Sequence, residues 1–179
     1  MTNTQLVTTA DLHPFIRDVE GFPKPGIVFK DITPLLRSAA ALDYTLTQLT
    51  TPWADLGVTQ VVAMESRGFI FGSAVARALN AGFVPIRKPG KLPWTRRRHE
   101  YVLEYGTDVL EIHEDALTTD DRVLIIDDVL ATGGTAAATV HLVAGFGATL
   151  VGAGFVIELT FLNGREKLGN VPVASVISY

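Results

Sequence analysis

Thirteen consecutive residues, Val123-Leu124-Ile125-Ile126-Asp127-Asp128-Val129-Leu130-Ala131-Thr132-Gly133-Gly134-Thr135, carry the densest chemistry in the chain. An apolar run ends in two adjacent carboxylates, and a loop of small residues then opens a predicted helix. Free backbone N–H groups at a helix start, joined by the Thr132 and Thr135 hydroxyls, make a cradle for an anion. The helix dipole adds about half a positive charge there. Gly133 and Gly134 let the backbone approach a phosphate with no side chain in between. Asp127 and Asp128 beside such a cradle suit hydrogen bonds from sugar hydroxyls, or a hydrated cation. A phosphorylated ribose satisfies both halves. The plain alternatives are a strand that ends in solvated acids, or half of a nucleotide-hydrolase site. No G-x-x-x-x-G-K-[ST] occurs to complete the latter.

Cations come from elsewhere. Arg87, Lys88, Lys91, Arg96, Arg97 and Arg98 fall within twelve residues that contain no acid, in a chain whose formal charge is −4. A solvated loop tip would look the same, but beside a phosphate cradle such a loop is a natural clamp for a polyanion. Arg67, after Glu65-Ser66 at the end of another predicted strand, offers a planar, multi-donor contact. Within Pro25-Gly26-Ile27-Val28-Phe29-Lys30-Asp31-Ile32, Phe29 can stack on a planar base while main-chain groups of Val28 and Lys30 read its edge. A hydrophobic strand packed on the core competes with that reading. Glu104, on its residue type alone, is a solvent-facing hairpin acid. His13, His99, His113 and His141 lack metal-ligand spacing and are assigned surface or packing roles.

The elements that must position these groups alternate. Helices are expected over Asp11 to Glu20, from a Ser38 cap to about Thr50 with Leu42, Leu46 and Leu49 on one face, over Phe69 to Leu79, and over about Thr135 to Ala144. Strands are expected over Thr59 to Met64, Phe83 to Ile86, Val123 to Ile126, Leu150 to Ile157 and Val173 to Ile177. The unbroken apolar run of Val123 to Ile126 suits a central parallel strand covered on both faces. Lys88 to Glu100 reads as a long polar loop, and Gly106-Thr107-Asp108 as the turn of a hairpin between Tyr101 to Glu104 and Val109 to His113. Gly145-Phe146-Gly147 reads as a helix stop. The alternation gives an α/β fold with a mostly parallel sheet, whose ligands sit outside the carboxyl ends of the strands.

The chain has 179 residues, 47% hydrophobic and 19% charged, with no cysteine. That suits one domain over residues 1–179, excludes a disordered or low-complexity protein, and removes disulfides, thiolate metal sites and cysteine nucleophiles. The acidic balance argues against nucleic acid or anionic membranes as partners. Met1 to Thr8 has no signal-peptide pattern. The uncharged stretch Val129 to Ile157 is broken by glycines, and its most apolar part, Leu142 to Ile157, is shorter than the ~20 residues of a spanning helix. A soluble, cytoplasmic protein is the expectation.

The Val123–Thr135 string resembles the 5-phosphoribosyl-1-pyrophosphate (PRPP) motif of type I phosphoribosyltransferases. The likeness implies that fold: a mostly parallel sheet flanked by helices, a small hood over about residues 21–34, and a flexible closing loop over about 88–108. By it, Asp127 and Asp128 meet the ribose, and Ala131, Thr132, Gly133, Gly134 and Thr135 hold the 5′-phosphate. Glu65-Ser66-Arg67-Gly68-Phe69 and Arg87-Lys88-Pro89-Gly90-Lys91-Leu92-Pro93 resemble the members of that family that act on adenine. There Glu65, Ser66, Arg67, Arg87, Lys88 and Lys91 would face pyrophosphate, with a cis peptide between Glu65 and Ser66. Tyr101-Val102-Leu103-Glu104-Tyr105-Gly106 is similar to the closing loop, which makes Glu104 the catalytic acid near the purine and Tyr105 part of the lid. Val28, Phe29 and Lys30 would form the adenine hood. Glu158-Leu159-Thr160 and Asn163-Gly164-Arg165-Glu166-Lys167-Leu168 also fit, placing Leu159 on the other purine face.

The resemblance runs from about Asp11 to the C-terminus. It implies a homodimer that converts adenine and PRPP to AMP and pyrophosphate, with Mg2+ carried by PRPP and water rather than by a dedicated ligand set. Arg96-Arg97-Arg98-His99-Glu100 departs from the small hydroxyl residues usual before this tyrosine, and Lys30 stands where Arg is common. An oxopurine transferase and a non-catalytic PRPP sensor are the rival readings.

Overall fold

The computed structural model describes residues 9–103 and 106–179, which fall into two compact units, Met1–Gln48 and Leu49–Tyr179. In the first, a 3-10 helix over Thr9–Phe15 leads into strand β1 (Arg17–Glu20), which pairs antiparallel with β2 (Val28–Asp31). The sequence suggests one helix over Asp11 to Glu20. Pro14 removes a backbone donor there, and Arg17 to Glu20 find strand partners from Arg17↔Asp31 to Glu20↔Val28. The hairpin is closed by the Gly21 N–H donating to the Ile27 carbonyl at 2.8 Å. A short helix α1 (Thr33–Arg37), which carries no amphipathic signal long enough to read, starts where the Asp31 carboxylate accepts from the Thr33 N–H and hydroxyl, each at 2.9 Å. Helix α2 (Ala39–Thr50) follows, with Ser38 Oγ accepting from the Ala41 N–H at 3.3 Å. Its buried stripe is Ala41, Thr45 and Leu49, while Leu42 and Leu46 are half-buried beside it.

The second unit is built on a five-stranded parallel sheet in the order β4-β3-β7-β8-β9. Its strands are β3 (Gln60–Met64), β4 (Gly82–Ile86), β7 (Arg122–Leu130), β8 (Thr149–Glu158) and β9 (Val173–Ser178). Helix α3 (Gly68–Ala78) connects β3 to β4, and α4 (Gly134–Ala144) connects β7 to β8. The expected central strand is β7, and it lies in the middle of the sheet. It runs on through Asp127 and Asp128 to Leu130, because Asp127↔Phe155 and Val129↔Ile157 still pair with β8. Val62, Val123, Ile125, Ala153 and Phe155 are fully buried in one apolar cluster. Burying each larger side chain of this kind contributes about 1.5–3 kcal/mol.

Residues Arg96–Leu103 form strand β5, antiparallel to β6 (Gly106–His113) in register from Arg96↔His113 to Leu103↔Gly106. This corrects two expectations. The polar loop ends earlier, at the start of β5, and Gly106, Thr107 and Asp108 are strand residues rather than the turn. Cross-strand pairing over eight positions on each strand outweighs the Gly-Thr-Asp turn signal. The span Val129 to Ile157 divides among β7, α4 and β8, and among the described residues no helix is long and apolar enough to cross a membrane.

Candidate active site

The carboxyl ends of β3 and β7 lie side by side, so the segments that follow them meet. After β3, the Glu65–Ser66 peptide is cis, as the resemblance implies, and α3 starts at Gly68. A β-carbon at Gly68 would stand 2.6 Å from Asp127 Oδ1, so only glycine lets the helix start this close to the acid. Arg67 Nε lies 2.6 Å from Asp128 Oδ2. Burial, then the neighbouring Asp128 charge, pushes the Asp127 carboxyl well above the usual carboxylate range. Asp128 is also raised by burial, against the pull of Arg67. An acid pair held up in this way gains from any hydroxyl donor or hydrated cation that favours its charged form.

After β7, Ala131 and Thr132 lead to Gly133, which is left-handed at φ +76° and caps α4. Gly133 is buried, and a β-carbon there would collide with the carbonyl of Gly164. One at Gly164 would in turn collide with the Ala131 carbonyl. The expected cradle is therefore braced from behind by the 3-10 turn Gly164–Leu168. That turn is held by Arg165, whose Nε and Nη2 donate to the Glu158 carboxylate at 2.9 and 2.5 Å and whose Nη1 donates to the Val173 carbonyl at 3.0 Å. Ser175 Oγ adds a hydrogen bond to Glu158 at 2.6 Å. The Arg165 hydrogen bonds, more than the opposing burial, hold Glu158 below its ordinary range.

Of the expected pyrophosphate cations, Arg67, Arg87 and Lys88 are each engaged with an acid. Arg87 Nε donates to Glu65 Oε2 at 2.7 Å and the Lys88 N–H to Glu65 Oε1 at 2.8 Å. Burial raises the Glu65 carboxyl, but these bonds and the Arg87 and Lys91 charges outweigh it and leave Glu65 lowered. Lys88 Nζ is paired with Asp108, and the Tyr101 hydroxyl donates to Asp108 Oδ2 at 3.2 Å. Tyr101 also lies 3.3 Å from Thr135 Oγ1. A chain of contacts thus runs from Arg87 and Glu65 through Lys88, Asp108 and Tyr101 to Thr135 in the cradle.

The Arg96–Arg98 run does not extend the clamp as a block. Arg96 Nε lies 3.0 Å from the buried Glu111 carboxylate, which also accepts from the Gly90 N–H at 3.0 Å. Arg97 donates to the Gly145 carbonyl at the end of α4 at 2.7 Å and stacks over Phe146 at 4.1 Å. His99 stacks on His141 at 4.1 Å, a packing role.

In the first unit, the Phe29 ring meets Phe22 edge-on at 5.1 Å, and Lys30 Nζ pairs with Asp18 at 2.7 Å. The main chain of Val28 to Lys30 lies in β2. Leu159 follows β8 directly and donates its N–H to the Leu130 carbonyl at 2.9 Å, beside the end of β7. Glu104 and Tyr105 lie outside the described residues. From sequence, Tyr101, Asp108, Glu111 and Gly164 have a place only within the closing-loop, turn, strand and C-terminal segments, with no partner assigned to any of them. The first two face each other across the hairpin, Tyr101↔Asp108. Among the described residues no three His, Cys, Asp or Glu side chains gather into a metal-holding group.

The chain matches the family model described as Phosphoribosyl transferase domain over residues 35–169, which sets the class of this parallel-sheet protein. It is 54% identical over 169 residues to the adenine phosphoribosyltransferase of Acaryochloris marina, covering 94% of this chain and 99% of that one. The crystal structure of adenine phosphoribosyltransferase from Rhodothermus marinus superposes with a TM-score of 0.92 at 50% identity, covering 96% and 98%. The Saccharomyces cerevisiae enzyme, complexed with D-2,5-dideoxy-2,5-imino-altritol 1,6-bisphosphate and adenine, gives 0.88 at 39% identity over 94% and 97%. This chain belongs to the adenine phosphoribosyltransferase family.

Proposed function

We infer that this chain transfers the 5-phosphoribosyl group of PRPP to adenine, forming AMP and releasing pyrophosphate. The observation that carries the reading is the pairing, at the end of the central strand, of the Asp127–Asp128 acids with a glycine cradle capping α4. The chain also aligns nearly end to end with enzymes of that name. The yeast relative is complexed with an imino-sugar bisphosphate and adenine, which supports a site for a sugar phosphate and a purine.

Attack of a purine nitrogen on the anomeric carbon breaks the bond to pyrophosphate, so positive charge builds on the ribose and negative charge on the leaving group. Asp127 and Asp128 present acceptors to the ribose hydroxyls. Ala131, Thr132, Gly133, Gly134 and Thr135 hold the 5′-phosphate through backbone N–H groups and hydroxyls. Glu65, Ser66, Arg67, Arg87, Lys88 and Lys91 line the pyrophosphate side. One well-placed donor to developing charge is worth about 3–4 kcal/mol. Phe29 stacks on adenine while the main chain of Val28 and Lys30 reads its edge; the Lys30 ammonium is engaged by Asp18, so only its backbone is needed. Leu159 is assigned an apolar contact with the base. Glu104 is the proton partner at purine N7, and Tyr105 belongs to the lid that excludes water.

The two adjacent acids suit a hydrated Mg2+ that arrives with PRPP and is held through water; when bound, it offsets the charge of the diphosphate. The functional unit is proposed to be the whole of residues 1–179, acting as a cytoplasmic homodimer on small molecules, with neither nucleic acid nor membrane as partner. Sedimentation at micromolar concentration tests the dimer. A PRPP-dependent assay with adenine, hypoxanthine, guanine and xanthine tests the reaction. Turnover with adenine alone is expected; turnover only with an oxopurine, or PRPP binding without turnover, would overturn it.

A further inference from the structure

We propose that Asp108 is a positioning residue that couples the two anion subsites of the PRPP site, an inference that rests on the function proposed above. Asp108 is half-buried in β6, and both of its carboxylate oxygens are engaged. Its Oδ1 accepts from the Val109 N–H at 2.8 Å, while Oδ2 takes both the Lys88 ammonium and the Tyr101 hydroxyl. Lys88 stands on the pyrophosphate side. Tyr101, buried at 8% exposure, lies within 3.3 Å of Thr135 Oγ1 on the 5′-phosphate side. One carboxylate therefore fixes a cation aimed at one anion and a hydroxyl in contact with the holder of the other. Tyr101 has one hydrogen, and giving it to Asp108 Oδ2 fixes where the phenol oxygen stands against the Thr135 side chain.

Electrostatics alone argues the other way, which makes the test sharp. Asp108 is a negative charge near an anion site, so neutralising it should tighten anion binding if it only repels. Positioning predicts weakening. Inhibition constants for pyrophosphate and for ribose 5-phosphate read the two ends separately. Asp108→Asn is expected to weaken both by about three- to tenfold and to raise KM for PRPP about tenfold, leaving KM for adenine within about twofold. Lys88→Met weakens pyrophosphate alone, Tyr101→Phe weakens ribose 5-phosphate alone, and Asp108→Glu recovers part of the loss. In the Lys88→Met background, Asp108→Asn should cause no further loss of pyrophosphate affinity. Tighter or unchanged binding of both anions in Asp108→Asn, or independent losses in the double variant, would overturn the proposal while leaving wild-type turnover intact. Absence of PRPP-dependent turnover in the wild type would overturn the underlying function as well.

Discussion

Among single residues, Asp127 carries the clearest conflict between stability and function. Burial and the adjacent Asp128 raise its carboxyl pKa in the folded chain. Stability is therefore fullest below the ordinary carboxylate range and falls as pH rises through the raised value, because the unfolded chain then holds fewer protons than the folded one. Asp127→Asn removes that cost. Its melting temperature should exceed the wild type's at pH 7, and the gap should close near pH 4, while PRPP-dependent turnover is lost. A variant less stable than wild type at pH 7 would show that the acid pair stabilises the apo fold. Glu104 belongs to the same scale. Glu104→Gln is expected to keep PRPP affinity while lowering single-turnover rate by about 10²–10⁴ if the group moves a proton. An unchanged rate would remove it from the mechanism.

The elements decide how well the cradle is held. The loop from Ala131 to Thr135 is shaped by its own glycines, but its back wall is the turn Gly164–Leu168, tied down through Arg165 and Glu158. Gly164→Ala should push against the Ala131 carbonyl and raise KM for PRPP by about tenfold with kcat less affected. Arg165→Met leaves the buried Glu158 with Ser175 and costs about 1–3 kcal/mol at pH 7. Glu158 is held below its ordinary range, so this pair stabilises the fold above the ordinary carboxylate pKa, and the contribution is lost as pH falls through the lowered value. The difference in melting temperature between the two proteins should therefore shrink in acid. Denaturant melts at pH 7 and in acid would check both points.

For the whole molecule, the formal charge of −4 and the local basic run suggest opposite behaviour toward a polyanion. The structure resolves this, since Arg67, Arg87 and Lys88 are each matched by a carboxylate, Asp128, Glu65 and Asp108. Three of the four cations assigned to pyrophosphate are thus neutralised before substrate arrives, so the site projects little field beyond a Debye length of about 8–10 Å. The PRPP association rate should then change by less than about threefold between roughly 0.05 and 0.3 M salt, in contrast to steered association. A steep fall with salt in stopped-flow traces would show that a net positive field guides binding.

The linear order of residues settled the central strand, the helices after β3 and β7, and the acid pair followed by glycines. Each is a local pattern: an apolar run, a helical period, a loop of small residues. It could not settle the start of the chain, where the Arg17–Glu20 segment becomes a strand only because Val28–Asp31 lies opposite it. Nor could it place Asp108, which reads as a turn residue until the register Tyr101↔Asp108 sets it against Lys88 and Tyr101. The same holds for Gly164, more than thirty residues along the chain from the loop it supports. Local sequence fixes which backbone shapes are cheap. Which acid neutralises which cation depends on distances between segments remote in the chain, and those exist only once the sheet and hairpin have formed.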